Sequence, residues 1–299
     1  MKNDYKSNGV TMNIYFVVLH YIVIQETINC VESIKNIKNH NSKKHIIVVD
    51  NGSNNGTGEK LKEKYSEDRE VTVVLSNDNL GFAKGNNLGL KQIEDKKKSI
   101  VFVCNSDVLF GQEDICERVI EIYRRTGFSV LGPDVTSQDK VIHENPTICE
   151  ISDPQSLRTQ LRRFKFENAM NIIGLTLLSR VFNKILNKKT LKLDYQKECN
   201  SKDYNIKLHG SCLVFSPVFF ENFEGFFEGT FLFQEENILS DMCRRKGLLM
   251  VYSPKVRVVH LGSRSYKRKF KNGNKRFKNY VENCLSSLKN YSAYLERNE

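Results

Sequence analysis

The stretch HIIVVDNGSNNGTGEKLKEKYSEDREVTVVLS, residues 45–76, decides the fold. It opens on an apolar run ending in Asp50, turns through Asn51 and Gly52, passes an amphipathic segment near 57–65 and closes on a second apolar run, VTVVLS at 71–76. An apolar run, a helical pattern and another apolar run mark a βαβ unit, whose strands lie parallel. The same rhythm extends in both directions. Strands are predicted at IYFVVLH (14–20) and SIVFVC (99–104), with helices near 25–38 and 83–94. A helix over about 112–125 and a short strand, FSVLG, follow. Up to about Asp134 the chain reads as α/β, built on a parallel sheet.

In an open α/β sheet, ligands bind beyond the carboxyl ends of the strands. Asp50, Asn79 and Asp107 all stand just after predicted strands. Asp is common in turns because its side chain bonds nearby backbone amides, yet turn chemistry alone explains three such residues at one edge poorly. A carboxylate at Asp107, in NSDVLFGQEDI (105–115), can anchor a divalent cation together with substrate phosphate oxygens. In NDNLGFAKGNNLGL (77–90), Gly81 and Gly85 allow close backbone approach, Lys84 adds positive charge, and Asn86 and Asn87 offer paired donors and acceptors. The bland alternative is a helix start with glycine packing. Neither GxGxxG nor GxxxxGK[ST] is present, which argues against a dinucleotide fingerprint or a P-loop.

Residues 152 to about 204 break the rhythm. The run from Arg158 to Lys189 holds eight Lys or Arg against one Glu, with Leu157, Leu161, Phe164, Ile173, Leu177, Val181 and Ile185 at helical spacing. This predicts a basic amphipathic helix or helical pair, packed on the main domain or lying on a membrane surface. From 206 the segments IKLHGSCLVFSP, FFENFEGFFEGTFLFQEENILSDMCRRKG, LLMVYSP and VRVVHLG read as strand, helix, strand and strand. Glu235 and Glu236 start the helical pattern. That is good charge placement at a helix N-terminus, and it is equally the place for a general base. His260 ends VRVVH, where a lone histidine is structural more often than not but is a suitable metal ligand. The final segment begins with eight basic residues between Arg264 and Lys278 and continues as a helix through YVENCLSSLKNYSAYL.

At 299 residues with 39% hydrophobic content, the chain can bury a substantial core. Its eight cysteines are scattered without a CxxC pair, so they read as reduced thiols of a cytoplasmic protein. The opening MKNDYKSNGVTMN has no signal-type apolar core, and no run approaches the roughly 18 apolar residues of a membrane span. A net charge of +11 fits nucleic acid, an anionic membrane or an anionic substrate.

The ordered set VVLHYIVIQETINCVESI, VVDNGSNNGT, NDNLGFAKGNNLGL, CNSDVLF, HGSCLVFSP, FLFQEENIL and VRVVHLG resembles the family 2 glycosyltransferases with a GT-A fold. It is especially similar to bacterial members often labelled rhamnosyltransferase-like, which build surface polysaccharides. The likeness covers about residues 13–135 and 206–262. Each motif is weak singly, but their order and spacing make a strong set.

The resemblance implies a mixed, mostly parallel sheet flanked by helices and forming a catalytic domain over 1–262. Within it lie a nucleotide-sugar half at 13–135, a basic helical insertion at 152–204 and an acceptor half at 205–262; a basic helical tail occupies 263–299. It implies a nucleotide-sugar donor of UDP or dTDP type, Mg²⁺ or Mn²⁺, and inversion at the anomeric carbon. Asp50 resembles the carboxylate that reads the base, with Asn51, Asn79, Gly81, Lys84 and Asn86 beside the nucleoside. Asp107 resembles the last acid of the DxD metal motif; Asn105 stands at its first position and Ser106 between them, also on the donor side. Glu236 takes the place of the Asp in the family's catalytic ED pair, leaving Glu235 as the alternative base. Ile238 and Met242 stand where relatives often carry Asp and Arg. His260 resembles the histidine that joins the metal or diphosphate, and His209, Gly210 and Ser211 face the acceptor, a glycan or a lipid-linked sugar.

The basic clusters at 158–189 and 264–278 suit the anionic inner face of a cell membrane. Two other readings stand beside this one. A nucleic-acid-binding protein would use the same clusters, but no recognisable binding module is present and no nucleic acid is expected. A non-catalytic relative that binds nucleotide sugar or glycan is compatible with Ile238 and Met242.

Overall fold

The computed structural model describes residues 12–38, 43–187, 193–262 and 272–298. The expectations for 1–11, for Lys188 and Lys189, and for 263–271 of the basic tail lie outside the described residues.

The chain runs β1 (Asn13–His20), α1 (Ile24–Lys35), β2 (Lys44–Asp50), α2 (Thr57–Lys64), β3 (Val71–Leu75), α3 (Gly81–Leu90), β4 (Ser99–Asn105), β5 (Val108–Leu109), α4 (Ile115–Thr126) and β6 (Val130–Ser137). It continues as β7 (Thr147–Ile148), α5 (Pro154–Ile172), α6 (Thr176–Asn187), β8 (Cys199–Asn200), β9 (Ile206–Lys207), β10 (Cys212–Phe215), α7 (Pro217–Phe220), α8 (Glu235–Arg245), β11 (Met250–His260) and α9 (Gly273–Asn298). Among the described residues one large sheet runs in the order β3-β2-β1-β4-β10-β6-β11-β5, with β8 pairing β11. Strands β3, β2, β1 and β4 pair in parallel, and so do β6 and β11; β10 is inserted antiparallel between β4 and β6. The expected mixed, mostly parallel sheet flanked by helices is thus what the chain forms.

Apolar runs rather than alternating ones build this sheet because both faces are covered. Val48 of β2 packs under α1, α2 and α4 with Cys30, Leu61 and Val119, while its neighbour Val49 faces Ala83 and Leu90 of α3. Phe16 and Phe102 stack across β1 and β4 at 4.5 Å between ring centroids. A third cluster lies outside this sandwich. Leu157 and Phe164 of α5, Ile238 and Met242 of α8, and Val281, Cys284 and Leu288 of α9 pack there together.

Three predicted elements differ. IKLHGSCLVFSP is two short strands, β9 and β10, separated by His209–Ser211. Of the predicted helix over 219–247 only α8 forms as a long helix; Phe219, Phe220 and Phe226 enter the core from the short α7 and the loop after it. LLMVYSP and VRVVHLG contribute to one strand, β11, whose register against β6 shifts between Ser253 and Arg257. In the insertion the predicted helical pair forms, but only part of its apolar stripe is covered: Leu157 and Phe164 are buried, whereas Ile173, Leu177, Val181 and Ile185 are exposed.

Candidate active site

β1, β2, β4, β6 and β11 point the same way, so His20, Asp50, Asn105 and His260 end their strands at one edge of the sheet. β10 runs the other way and starts at that edge, directly after His209, Gly210 and Ser211.

On the β2 side Asp50 is almost fully buried. Its Oδ1 accepts hydrogen bonds from the Ser53 amide at 3.3 Å and from the Ser53 hydroxyl. Its Oδ2 lies so close to Gly58 that a Cβ there would come within 2.2 Å. Burial pushes the Asp50 carboxyl up, with Ser53 pulling back in part. His20, paired with Asp50 in the strand register, is buried between Thr27 Oγ1 (2.6 Å) and Thr57 Oγ1 (2.9 Å), and burial lowers its imidazole to about 4. His20 is a neighbour of Asp50 that the motif reading did not single out; its place as the last residue of β1 is the signal.

Asn51 and Asn79 are spent on shaping the loop before α3. Asn51 accepts from the Leu80 amide (2.9 Å) and donates to the Gly81 carbonyl (3.0 Å), while Asn79 accepts from the Gly81 amide (3.0 Å). Gly81 has φ +80°, and its amide neighbour Phe82 donates to the Phe231 carbonyl, joining this loop to the chain that leads into α8. A Cβ on Gly81 would meet that carbonyl oxygen at 2.2 Å. Lys84 is exposed, and Asn86 is buried with Nδ2 on the Phe82 carbonyl and, among the described residues, no hydrogen-bond partner for Oδ1.

At the β4 end the turn Asn105-Ser106-Asp107 is sewn to its neighbours on both sides. The Asn105 amide donates to the Ser211 carbonyl, and the Leu261 amide donates to the Asp107 carbonyl, each at 2.9 Å. This brings His260 Nε2 to 3.4 Å from Asp107 Oδ2. On its other side His260 Nδ1 lies 2.7 Å from Glu144 Oε2, which is 3.5 Å from His209 Nδ1. Burial lowers the His260 imidazolium, but the two carboxylates outweigh it and carry it up to about 10. Glu144, pushed up by burial, is held below its ordinary range by His260 and His209. Glu144 was absent from the motif reading; it arrives because the chain folds back on β6, the Glu144 amide donating to the Val135 carbonyl at 2.8 Å.

Glu144, His209 and His260 can each turn one ligand atom to within 4.8 Å of the others. Among the described residues, buried His260 Nε2 meets the Asp107 carboxylate at ion-pair distance, 3.4 Å, without a well-formed hydrogen bond, and a buried group so weakly satisfied favours a further partner. Imidazole and carboxylate together, with Asp107 alongside, form a set that fits Mn²⁺ better than Mg²⁺, which favours oxygen alone. Asp134 and His143 (2.7 Å), with Tyr195 stacked on His143, line a cleft of about 830 Å³ on the neighbouring edge of β6 and β11.

The adjacent glutamates part company. Glu236 is half-buried and its Oε1 accepts from the Gly210 amide at 3.2 Å, one residue from His209. Glu235 points inward, Oε1 without a partner among the described residues, and burial followed by the charge of Glu236 raises its carboxyl to about 8. Below about 4.3 this carboxyl is protonated in both the native and the unfolded chain; between there and about 8 the unfolded chain releases the proton and the native one keeps it. Stability is therefore lost as pH rises through that window. Glu235→Gln should remove the loss: denaturation at pH 5, 6.5 and 8 is expected to show the variant gaining on the parent at each step. A constant difference would show that Glu235 is ionised in the native state.

The family model for glycosyl transferase family 2 matches residues 16–189. The hexosyltransferase Agl10 of low-salt glycan biosynthesis, from Haloferax volcanii, is 24% identical over 236 residues, or 77% of this chain and 63% of that protein. The chain thus spans less than two thirds of the length of that relative. The structure of S. aureus TarS 1-349 superposes over 96% of this chain and 74% of its own, with a TM-score of 0.51 and 13% identity. A second structure of S. aureus TarS covers 86% of this chain and 38% of its own, with a TM-score of 0.52 and 13% identity.

Proposed function

Since this chain belongs to glycosyl transferase family 2 and is built on the GT-A plan, we propose that it is an inverting glycosyltransferase that moves a hexose-type sugar from a nucleoside diphosphate to a hydroxyl of a glycan or lipid-linked acceptor. The cytoplasm, where nucleotide sugars are available, is its proposed location, and assembly of a surface polysaccharide its proposed context. The observation that carries the reading is the meeting of Glu236 with the Asp107, Glu144, His209 and His260 cluster at one edge of the sheet.

In this reading Asp50 recognises the base, and the Asn79–Asn87 segment lies along the nucleoside, held in shape by Asn51. Asp107 and His260, with Glu144 and His209 in reach, would hold Mg²⁺ or Mn²⁺. A cation bound there supplies neutralisation of the charge gathering on the departing diphosphate. Glu236 takes the proton of the acceptor hydroxyl. The freed oxygen bonds to the anomeric carbon as the bond to the diphosphate oxygen breaks on the opposite face, and the nucleoside diphosphate leaves with that electron pair. His209 and Ser211 border the path of the acceptor, and Gly210 leaves room for the base.

A thermal-shift panel of UDP, dTDP and GDP, each alone, with Mn²⁺ and with Mg²⁺, tests the donor assignment, because a ligand of the native state raises its stability by mass action. UDP or dTDP is expected to raise the melting temperature, further with Mn²⁺ than with Mg²⁺. His260→Ala should lose the cation-dependent part. A panel in which no nucleotide shifts the transition would overturn the proposal.

A further inference from the structure

The described helices include none long and apolar enough to cross a membrane, yet the insertion carries an apolar surface that no described residue covers. Ile172 and Ile173, at the turn between α5 and α6, are 76% and 70% exposed, and Leu177, Leu178, Val181 and Ile185 extend the strip along α6 at 57–65%. We propose that the α5–α6 hairpin, with the first turns of α9 beside it, is a docking surface for an anionic lipid bilayer.

Charge selects this occupant. Between Asp153 and Asp194 the sequence has a single acid, Glu167. That residue is fully buried and occupied by Arg163 and Asn183. Every charge the hairpin shows to solvent is therefore positive, including Arg158, Arg162, Lys165 and Lys184. The fold adds more. Arg180 Nη1 donates to Asn274 Oδ1 at 2.7 Å, so the start of α9, with Lys275 and Lys278, lies against α6. The described residues of two basic stretches about a hundred residues apart in sequence are thereby brought side by side. Apolar side chains seated among basic ones, without acids, match the boundary between acyl chains and anionic headgroups, where Lys and Arg reach phosphate while their stems stay in the apolar layer. A protein partner would have to present a uniformly acidic, apolar face of the same extent.

The other side of the hairpin is fixed. Leu157 and Phe164 pack with Ile238 and Met242 of α8, the helix that begins with Glu235 and Glu236. Docking would hold the catalytic edge at a constant attitude to the bilayer, which suits an acceptor carried on a lipid. The inference goes beyond the proposed reaction and stands without it.

Co-sedimentation of the full chain with vesicles of phosphatidylcholine, alone or mixed with phosphatidylglycerol, at low and high salt, tests the surface. Binding is expected to mixed vesicles only and to weaken with salt. Arg162→Glu and Lys165→Glu should each reduce partition about fivefold or more, the loss expected for one basic residue near an anionic surface. Leu177→Asp with Val181→Asp should abolish it, while the melting temperature and the response to UDP stay as in the parent. Equal sedimentation with both vesicle types, or undiminished binding by the Leu177/Val181 variant, would overturn the proposal. So would a parent that is dimeric by light scattering, ignores vesicles and becomes monomeric on the same substitutions, because the face would then belong to a second copy.

Discussion

Glu236→Gln is expected to lower the rate of sugar transfer by about 10²- to 10⁴-fold, the usual worth of a positioned general base, while leaving donor binding and folding as they are. The amide keeps the length of the side chain and an oxygen to accept the Gly210 N–H, now at 3.2 Å from Glu236 Oε1. What it loses is the ability to take a proton at neutral pH. The loss should fall on kcat, since the donor contacts proposed for Asp50 and the Asp107–His260 pair do not pass through Glu236. Glu235→Gln is the control. That carboxyl is buried and raised to about 8, so it is already largely neutral at pH 7 and its neutral replacement should retain most activity. Initial rates with labelled donor separate the two. If Glu235→Gln were the silent enzyme and Glu236→Gln the active one, the base would be the buried residue.

The residues that end strands were legible because strand position is written locally. HIIVVD and SIVFVC could be placed to within a residue, and topology alone then puts Asp50, Asn105 and Asp107 at one edge. Glu144 was not legible, since the HENP segment has no periodicity and gains its place from a hairpin return against β6 that only tertiary structure specifies. Asn51 and Asn79 were found, but sequence shows that an amide is present, not whether it faces a ligand or a neighbouring backbone group. The phenylalanines of 219–227 were read into a helix because apolar spacing is ambiguous in an aromatic-rich run. Instead the short α7 delivers Phe219 and Phe220 to the core and the loop after it delivers Phe226, with Asn87 clamping the Phe226 amide at 2.8 Å. For α6 the period was visible, but not that its apolar side would be left facing outward.

Gly210→Ala should reduce kcat by about 10- to 100-fold in a protein that folds as before. A methyl group on Gly210 would lie 2.7 Å from Glu236 Oε1 and 3.2 Å from its Cδ, so one of them must move. The backbone need not, because Gly210 is outside the left-handed region and its neighbour His209 is held by the 2.7 Å hydrogen bond from its amide to Asn145 Oδ1. The carboxylate is the free end of a flexible chain, and it yields. Gly81 is the opposite case, where the atom facing an added Cβ is the Phe231 carbonyl oxygen at 2.2 Å and φ is +80°, so no side chain can give way. A base displaced by about 1 Å loses on the order of 10² in rate through geometry alone. The melting temperature and the nucleotide response of Gly210→Ala should therefore match the parent, with the deficit confined to kcat. Combining it with Glu236→Gln discriminates further. If Gly210 acts only by making room for the base, the double variant is no slower than Glu236→Gln; if the two losses multiply, Gly210 serves the acceptor by a route independent of Glu236.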